Sequence, residues 1–106
     1  MIERIERFEF QNGVADLVID DYGYFTDKPV CIASKDIIDE EDTHYFKTDC
    51  KILKNGSEVK LIRVYQNLYG TYLYVLYNDI EYCVKSKDLI FKKERRRIKW
   101  RIGTDL

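Results

Sequence analysis

Nine residues occur twice in this chain, as VCIASKDII at 30–38 and as YCVKSKDLI at 82–90, so any fold it adopts must house the same short unit in two places. Five aligned positions are identical (Cys, Ser, Lys, Asp and Ile), and two more exchange Ile for Val or Leu. Each copy reads as a strand, a Ser-started turn and a second apolar segment. Each also follows a Tyr-rich run and a turn aspartate, Asp27 or Asp79, four residues before the Cys. The repeat divides the chain into two comparable halves and speaks to fold rather than to activity.

The segments around the repeat read as strands and tight turns. Residues 2–10 carry both a helical period (Ile2, Ile5, Phe8) and a strand alternation (Phe8, Phe10), and the strand reading is favoured because Asn12-Gly13 follows, a dipeptide suited to a type I′ hairpin turn with return strand 14–19. Tyr22, Tyr24 and Phe25 begin a short strand that Lys28-Pro29 interrupts and residues 30–33 resume. Residues 39–42 (DEED) form an acidic loop before a strand at 44–47. Asn55-Gly56 marks another hairpin turn, before a strand at 58–65 that places Val59, Leu61 and the Arg63 stem on one face and Ile62 and Val64 on the other. Asn78-Asp79 joins strands 71–77 and 80–85, the first apolar or aromatic on both faces. In 97–102, RIKWRI, basic and apolar residues alternate strictly, which predicts a strand with Ile98, Trp100 and Ile102 inward.

With 14% aromatic residues, nine of them Tyr, and a single Pro, the 106-residue chain is a β-rich globular domain rather than a disordered one. A chain of this length buries roughly two-thirds of the surface its unfolded form exposes. The expected fold is all-β and antiparallel.

Residues 55–91 resemble the small bacterial Src-homology-3-like (SH3-like) barrels. The resemblance rests on the order NGSEVKLIRV, YQNLYG as a loop, TYLYVLY as a central strand, ND as a hairpin turn, IEYCV as its partner and SKDL as a single helical turn before a closing strand. It covers about a third of the chain and implies a five-stranded small barrel that serves as a binding module for peptide, glycan or nucleic acid. The aromatic such domains carry after the loop is Tyr69 or Tyr72. By the repeat, residues 1–50 resemble a second, degenerate copy. The two arrangements are then an acidic half (1–50) packed on a basic half (51–106), or one domain over 1–106 whose halves share strands.

Charge separates the halves sharply. Residues 1–50 hold five Lys/Arg against thirteen Asp/Glu, a net of −8, and residues 51–106 hold thirteen against six, a net of +7. Such asymmetry governs partner choice and association rate more than fold. It nominates two surfaces. The acidic one comprises Asp16, Asp20, Asp21, Asp39, Glu40, Glu41 and Asp42, and would imitate a nucleic-acid backbone in a basic groove of a protein partner. The basic one comprises Lys92, Lys93, Arg95, Arg96, Arg97, Lys99 and Arg101, with Trp100 to stack on bases, and would bind nucleic acid. The opposite halves could also drive homo-oligomerisation, or neutralise each other where they pack.

Residue inventory argues against catalysis. His44 is the sole histidine and lies beside the acidic run, where a surface residue is expected rather than a general base. Cys31, Cys50 and Cys83 form an odd set without C-x-x-C spacing, which fits reduced thiols better than a disulfide framework or, with His44, a zinc site. The acidic run lacks calcium-loop spacing, and five scattered glycines make no phosphate loop. No metal or cofactor is expected. No apolar run approaches the roughly 20 residues of a membrane helix, and the start MIERIER is charged where a signal peptide is apolar, so the expected location is cytoplasmic. The leading expectation is a small non-enzymatic protein-binding module that occupies a partner's charged surface, of the kind phages and mobile elements use as anti-defence inhibitors (anti-CRISPR proteins being an example). The alternative is a nucleic-acid-binding module using the basic C-terminal strand.

Overall fold

Period-two alternation of apolar side chains builds this molecule, and it is visible strand by strand in the computed structural model, which describes residues 2–40 and 51–92. Strands β1 (Glu3–Phe10) and β2 (Gly13–Asp20) form a hairpin that turns Phe8, Phe10, Leu17 and Ile19 inward. Strand β3 (Val30–Ala33) leads through a bend to the two-residue β4 (Ile37–Ile38), which pairs with β5 (Ile52–Leu53). Then come β6 (Glu58–Asn67), β7 (Gly70–Tyr77), β8 (Ile80–Lys85), a 3-10 turn at Ser86–Asp88 and β9 (Leu89–Phe91). Every pairing is antiparallel.

The main sheet runs β8-β7-β6-β3-β9, flanked by the β1-β2 and β4-β5 pairs. The fold is therefore all-β, as expected, and its order of meander, 3-10 turn and last strand follows the expected order over 55–91. Among the described residues no sheet closes on itself: β8 and β9 are opposite margins of the five-stranded sheet. Strand β3, from the acidic half, lies inside this sheet. One core joins Phe8, Leu17, Ile19 and Phe25 to Leu61, Leu73, Val75, Val84 and Leu89. Each such side chain contributes about 1.5–3 kcal/mol on burial.

The repeated nonapeptide becomes β3-bend-β4 in one copy and β8-3-10 turn-β9 in the other, and the copies meet. Ala33 pairs with Leu89, and the Ser34 amide and hydroxyl both donate to the Asp88 carbonyl, at 3.0 and 2.7 Å. Cys31 and Cys83, equivalent in the repeat, are both buried.

Several local expectations change. Asn12 and Asn55 stay out of the left-handed region, and only the following glycines have positive φ. Asn55-Gly56 does not make a hairpin between neighbours, because β5 pairs with β4 and the Gly56 amide is held by the Ala33 carbonyl at 2.8 Å. Among the described residues Asn78 and Asp79 alone adopt the paired left-handed geometry of a type I′ turn, φ 51° and 62°. A register shift between Leu61 and Arg63 adds one residue to β6, so Val64 packs on the core while Arg63 and Tyr65 face outward. Tyr24 and Phe25 make isolated bridges, to Arg63 and Ile19, rather than a strand. The strands expected at 44–47 and 97–102 lie outside the described residues.

Both margins of the sheet are capped in part, by side chains and, at β9, by the Gln11 backbone N–H as well. At β9 the Gln11 amide donates to the Leu89 carbonyl at 2.7 Å, and the Asn12 side chain bonds Phe91 in both directions. At β8 the Asp39 carboxylate accepts the Cys83 amide at 2.9 Å, and the Lys51 ammonium donates to the Glu81 carbonyl at 2.7 Å. Covering exposed strand edges in this way blocks edge-to-edge aggregation.

Candidate binding surface

The acidic residues chosen from the sequence do not form one free surface. Asp39 is 1% exposed, ion-paired to Lys51 at 3.1 Å and bonded to β8, so it belongs to the fold; a carboxylate is buried there because an ammonium and a strand amide both need it. Asp20 is also buried, its Oδ1 accepting the Tyr22 and Tyr24 amides at 2.8 and 3.0 Å and fixing the turn after β2. Asp16 is exposed in the middle of β2 and ion-paired to Arg7 at 3.0 Å, and that hydrogen bond holds its carboxyl below the ordinary value. Asp21 is exposed and accepts the Ile2 amide at 3.2 Å, and Glu40 is half-buried. Glu41 and Asp42 lie outside the described residues.

Of the basic set, Lys92 is exposed and ion-paired to Glu58 at 2.9 Å. Lys93, Arg95, Arg96, Arg97, Lys99, Trp100 and Arg101 lie outside the described residues, as do His44 and Cys50. Among the described residues no three His, Cys, Asp or Glu side chains converge as a metal site would require. A shallow hollow of about 390 Å³ beside the β7-β8 turn brings Glu58, Lys60 and Asp79 around Val30 and Leu76, without a serine, cysteine or histidine in its lining. Among the described residues no helix is long and apolar enough to cross a membrane.

The structure instead assembles an aromatic surface from two segments far apart in sequence. The turn after β2 lies against β6: the Phe25 amide donates to the Ile62 carbonyl and the Val64 amide to the Gly23 carbonyl, both at 2.9 Å. Gly23 permits this approach, since a Cβ there would lie 3.0 Å from the Val64 carbonyl oxygen, at φ +88°. Tyr24 is thereby set opposite Arg63, whose guanidinium lies 5.4 Å from the Tyr24 ring centre and whose Nε donates to the Tyr22 carbonyl at 3.3 Å. On β6 and β7 Arg63 is opposite Tyr74, and Tyr65 is opposite Tyr72, which in turn is opposite Lys85. Tyr65 and Tyr74 are 6.5 Å apart, ring to ring, and the Lys85 ammonium lies 6.0 Å from the Tyr72 ring.

Tyr22, Tyr24 and Tyr65 are substantially exposed here, and at the end of the β6-β7 hairpin Leu68 and Tyr69 are almost wholly so. From sequence Tyr69 and Tyr72 stood out, but Tyr22, Arg63 and Leu68 did not. The available signal was the apolar pair Leu68-Tyr69 at the centre of a tight turn between Asn67 and Gly70, where polar residues are usual. A scan against protein-family models finds no matching family, and neither a curated protein nor a solved structure matches the chain.

Proposed function

We propose that the chain is a cytoplasmic, non-enzymatic module that binds a protein partner and acts by occupying part of that partner's surface. The observation that carries this reading is the exposed cluster of Tyr22, Tyr24, Tyr65, Leu68 and Tyr69 beside Arg63. These side chains contribute little to the core, and Tyr and Arg are the residue types that dominate protein interfaces. The contact is aromatic rather than acidic, because Asp20 and Asp39 serve the fold and Asp16 is already paired. An anti-defence inhibitor of the anti-CRISPR kind is the narrower form of this reading.

The test is to capture a partner on the immobilised protein, purify it and titrate it against variants. The double change Tyr24→Ala with Tyr65→Ala, and Arg63→Glu, should each weaken binding by about tenfold or more, as loss of interface anchors does. Asp16→Lys should leave it unchanged. Undiminished affinity in the aromatic variants would remove this surface from the reading.

A second reading has one observation in its favour: cations beside rings, Arg63 at Tyr24 and Lys85 at Tyr72, also suit stacked bases with neighbouring phosphates. Fluorescence anisotropy with labelled random oligonucleotides at low and near-physiological salt decides it. Binding that weakens steeply with salt favours nucleic acid, and no binding at low salt eliminates it.

A further inference from the structure

We infer that the β6-β7 hairpin is a preformed finger that seats Leu68 and Tyr69 in an uncharged apolar pocket of a globular protein partner, an inference that rests on the protein-binding reading above. The finger extends beyond its neighbours. Strand β3 pairs with β6 only from Glu58 to Lys60, and β8 pairs with β7 no further than Tyr72, so Gln66–Thr71 is a two-stranded ribbon without another strand beside it among the described residues. At its end Leu68 is 98% exposed and Tyr69 86%.

The turn itself does not require these side chains. A second two-residue connection has the same frame, Gln11-Asn12 followed by Gly13 at φ +129°, where Leu68-Tyr69 is followed by Gly70 at φ +139°. In both, the glycine supplies the conformation that L-residues avoid, and the two central positions are free to vary. At the first turn they are polar and docked on β9. At the second they are a leucine and a tyrosine standing in solvent, which costs solubility and returns nothing to the fold.

The turn is braced from within the finger, since the Asn67 Oδ1 accepts the Tyr69 amide at 2.7 Å. Such bracing reduces the conformational entropy lost on docking. Its charge identifies the occupant. Residues 65–72, YQNLYGTY, hold no charged side chain in a chain that is 35% charged. A phosphate backbone or an anionic membrane would call for cations at the tip, whereas a neutral convex tip is complementary to a neutral concave pocket. Leucine and tyrosine side by side fill such a pocket as buried anchors.

The experiment places the photocrosslinker p-benzoylphenylalanine at position 68, 69 or 24 of the full chain, identifies the crosslinked protein and titrates it, purified, against wild type and against Leu68→Ser and Tyr69→Ser. The expected result is crosslinking from 68 and 69, with about tenfold or greater loss of affinity in each serine variant and little dependence on salt. Crosslinking from 24 alone, or equal affinity of the serine variants, overturns the finger and leaves the protein-binding reading standing. Absence of protein crosslinks from every position overturns both. Binding to phosphatidylcholine or phosphatidylserine vesicles, to oligonucleotides or to a second copy of this chain, lost in the serine variants, also overturns the inference and names the true occupant.

Discussion

Asn12 and Phe91 are joined through a single amide that behaves as a strand residue. The Asn12 Nδ2 donates to the Phe91 carbonyl at 3.0 Å, and the Phe91 amide donates to the Asn12 Oδ1 at 2.9 Å. This reciprocal pair ties the β1-β2 turn to the margin of the main sheet, beside the Phe10–Phe91 ring stack at 5.2 Å.

Asn12→Ala deletes both bonds at an accessible site, where water replaces them in part, so a loss of about 1–2 kcal/mol is expected. For a domain of this size that lowers Tm by roughly 5–15 °C. Asn12→Asp keeps the acceptor and loses the donor, and should fall between wild type and Ala. Thermal or urea unfolding measures all three, and an Ala variant as stable as wild type would refute the bracing role.

Asp39 separates fold from binding in the acidic run. Its carboxylate is buried against the Cys83 amide and the Lys51 ammonium, which also lies 5.0 Å from the Tyr82 ring. Asp39→Ala removes the carboxylate from the buried Cys83 amide and from Lys51, whose part-exposed ammonium keeps the Glu81 carbonyl, at a cost of about 1–3 kcal/mol. Asp39→Asn retains a hydrogen-bond acceptor and should cost less. If urea unfolding shows the Ala variant within error of wild type, the carboxylate is not holding the edge. Charge reversal across 39–42 would accordingly confuse unfolding with loss of binding, which makes Asp16 and Asp21 the better positions for probing an acidic contact.

What was legible in the sequence was whatever depends on local chemistry. The hairpin signal at Asn12-Gly13 located β1 and β2, the Tyr-rich run 71–77 located β7, Asn78-Asp79 announced a tight hairpin turn, and the repeat predicted two strand-turn-strand units. What escaped depends on pairing across the chain. The extra residue near Ile62 inverts the face of everything after it in β6, so Val64 enters the core and Arg63 leaves it. Asp20 and Asp39 read as solvated because nothing in their neighbours reveals that a turn or a strand edge will consume them. The aromatic surface was hidden for the same reason, since Tyr24 meets Arg63 only once the turn after β2 has docked on β6.

Cys31 is fully buried, and burial pushes its thiol up to about 12, an effect only partly offset by the Lys92 backbone amide. The unfolded thiol ionises from about 8.5. Between those values the unfolded chain has lost a proton that the native chain keeps, so stability falls as pH rises through this window. The stability difference between wild type and Cys31→Ala should therefore shift against wild type above about pH 8.5. Iodoacetamide at mildly alkaline pH, followed by peptide mapping, should modify Cys31 only as fast as the protein opens. Rapid native-state alkylation would contradict this.

Gly23 holds the docking of the Tyr24 turn on β6. Gly23→Ala meets both an unfavourable φ of +88° and a backbone oxygen 3.0 Å from the new Cβ, with Val64 Cγ1 at 3.3 Å. A cost of about 1–3 kcal/mol is expected, together with a weakened Val64–Gly23 hydrogen bond. The amide of Val64 should then exchange faster with deuterium while those of Leu73 and Val84 do not. Unchanged Val64 protection would mean the turn docks without needing glycine.

Leu68 and Tyr69 supply the opposite case, large apolar side chains whose removal should leave the fold untouched. Neither contributes to the core, and the turn is set by the Asn67 side chain and by Gly70. Leu68→Ser and Tyr69→Ser should change unfolding free energy by no more than about 0.5 kcal/mol, the range of surface substitutions, and should raise solubility by removing an exposed apolar tip. Asn67→Ala, by contrast, releases the Tyr69 amide and should loosen the turn by about 1 kcal/mol. Urea unfolding and the concentration at precipitation measure these effects. A loss of 2 kcal/mol or more in either serine variant would show that the tip packs within its own chain, and the side chains would then owe their presence to folding rather than to a partner.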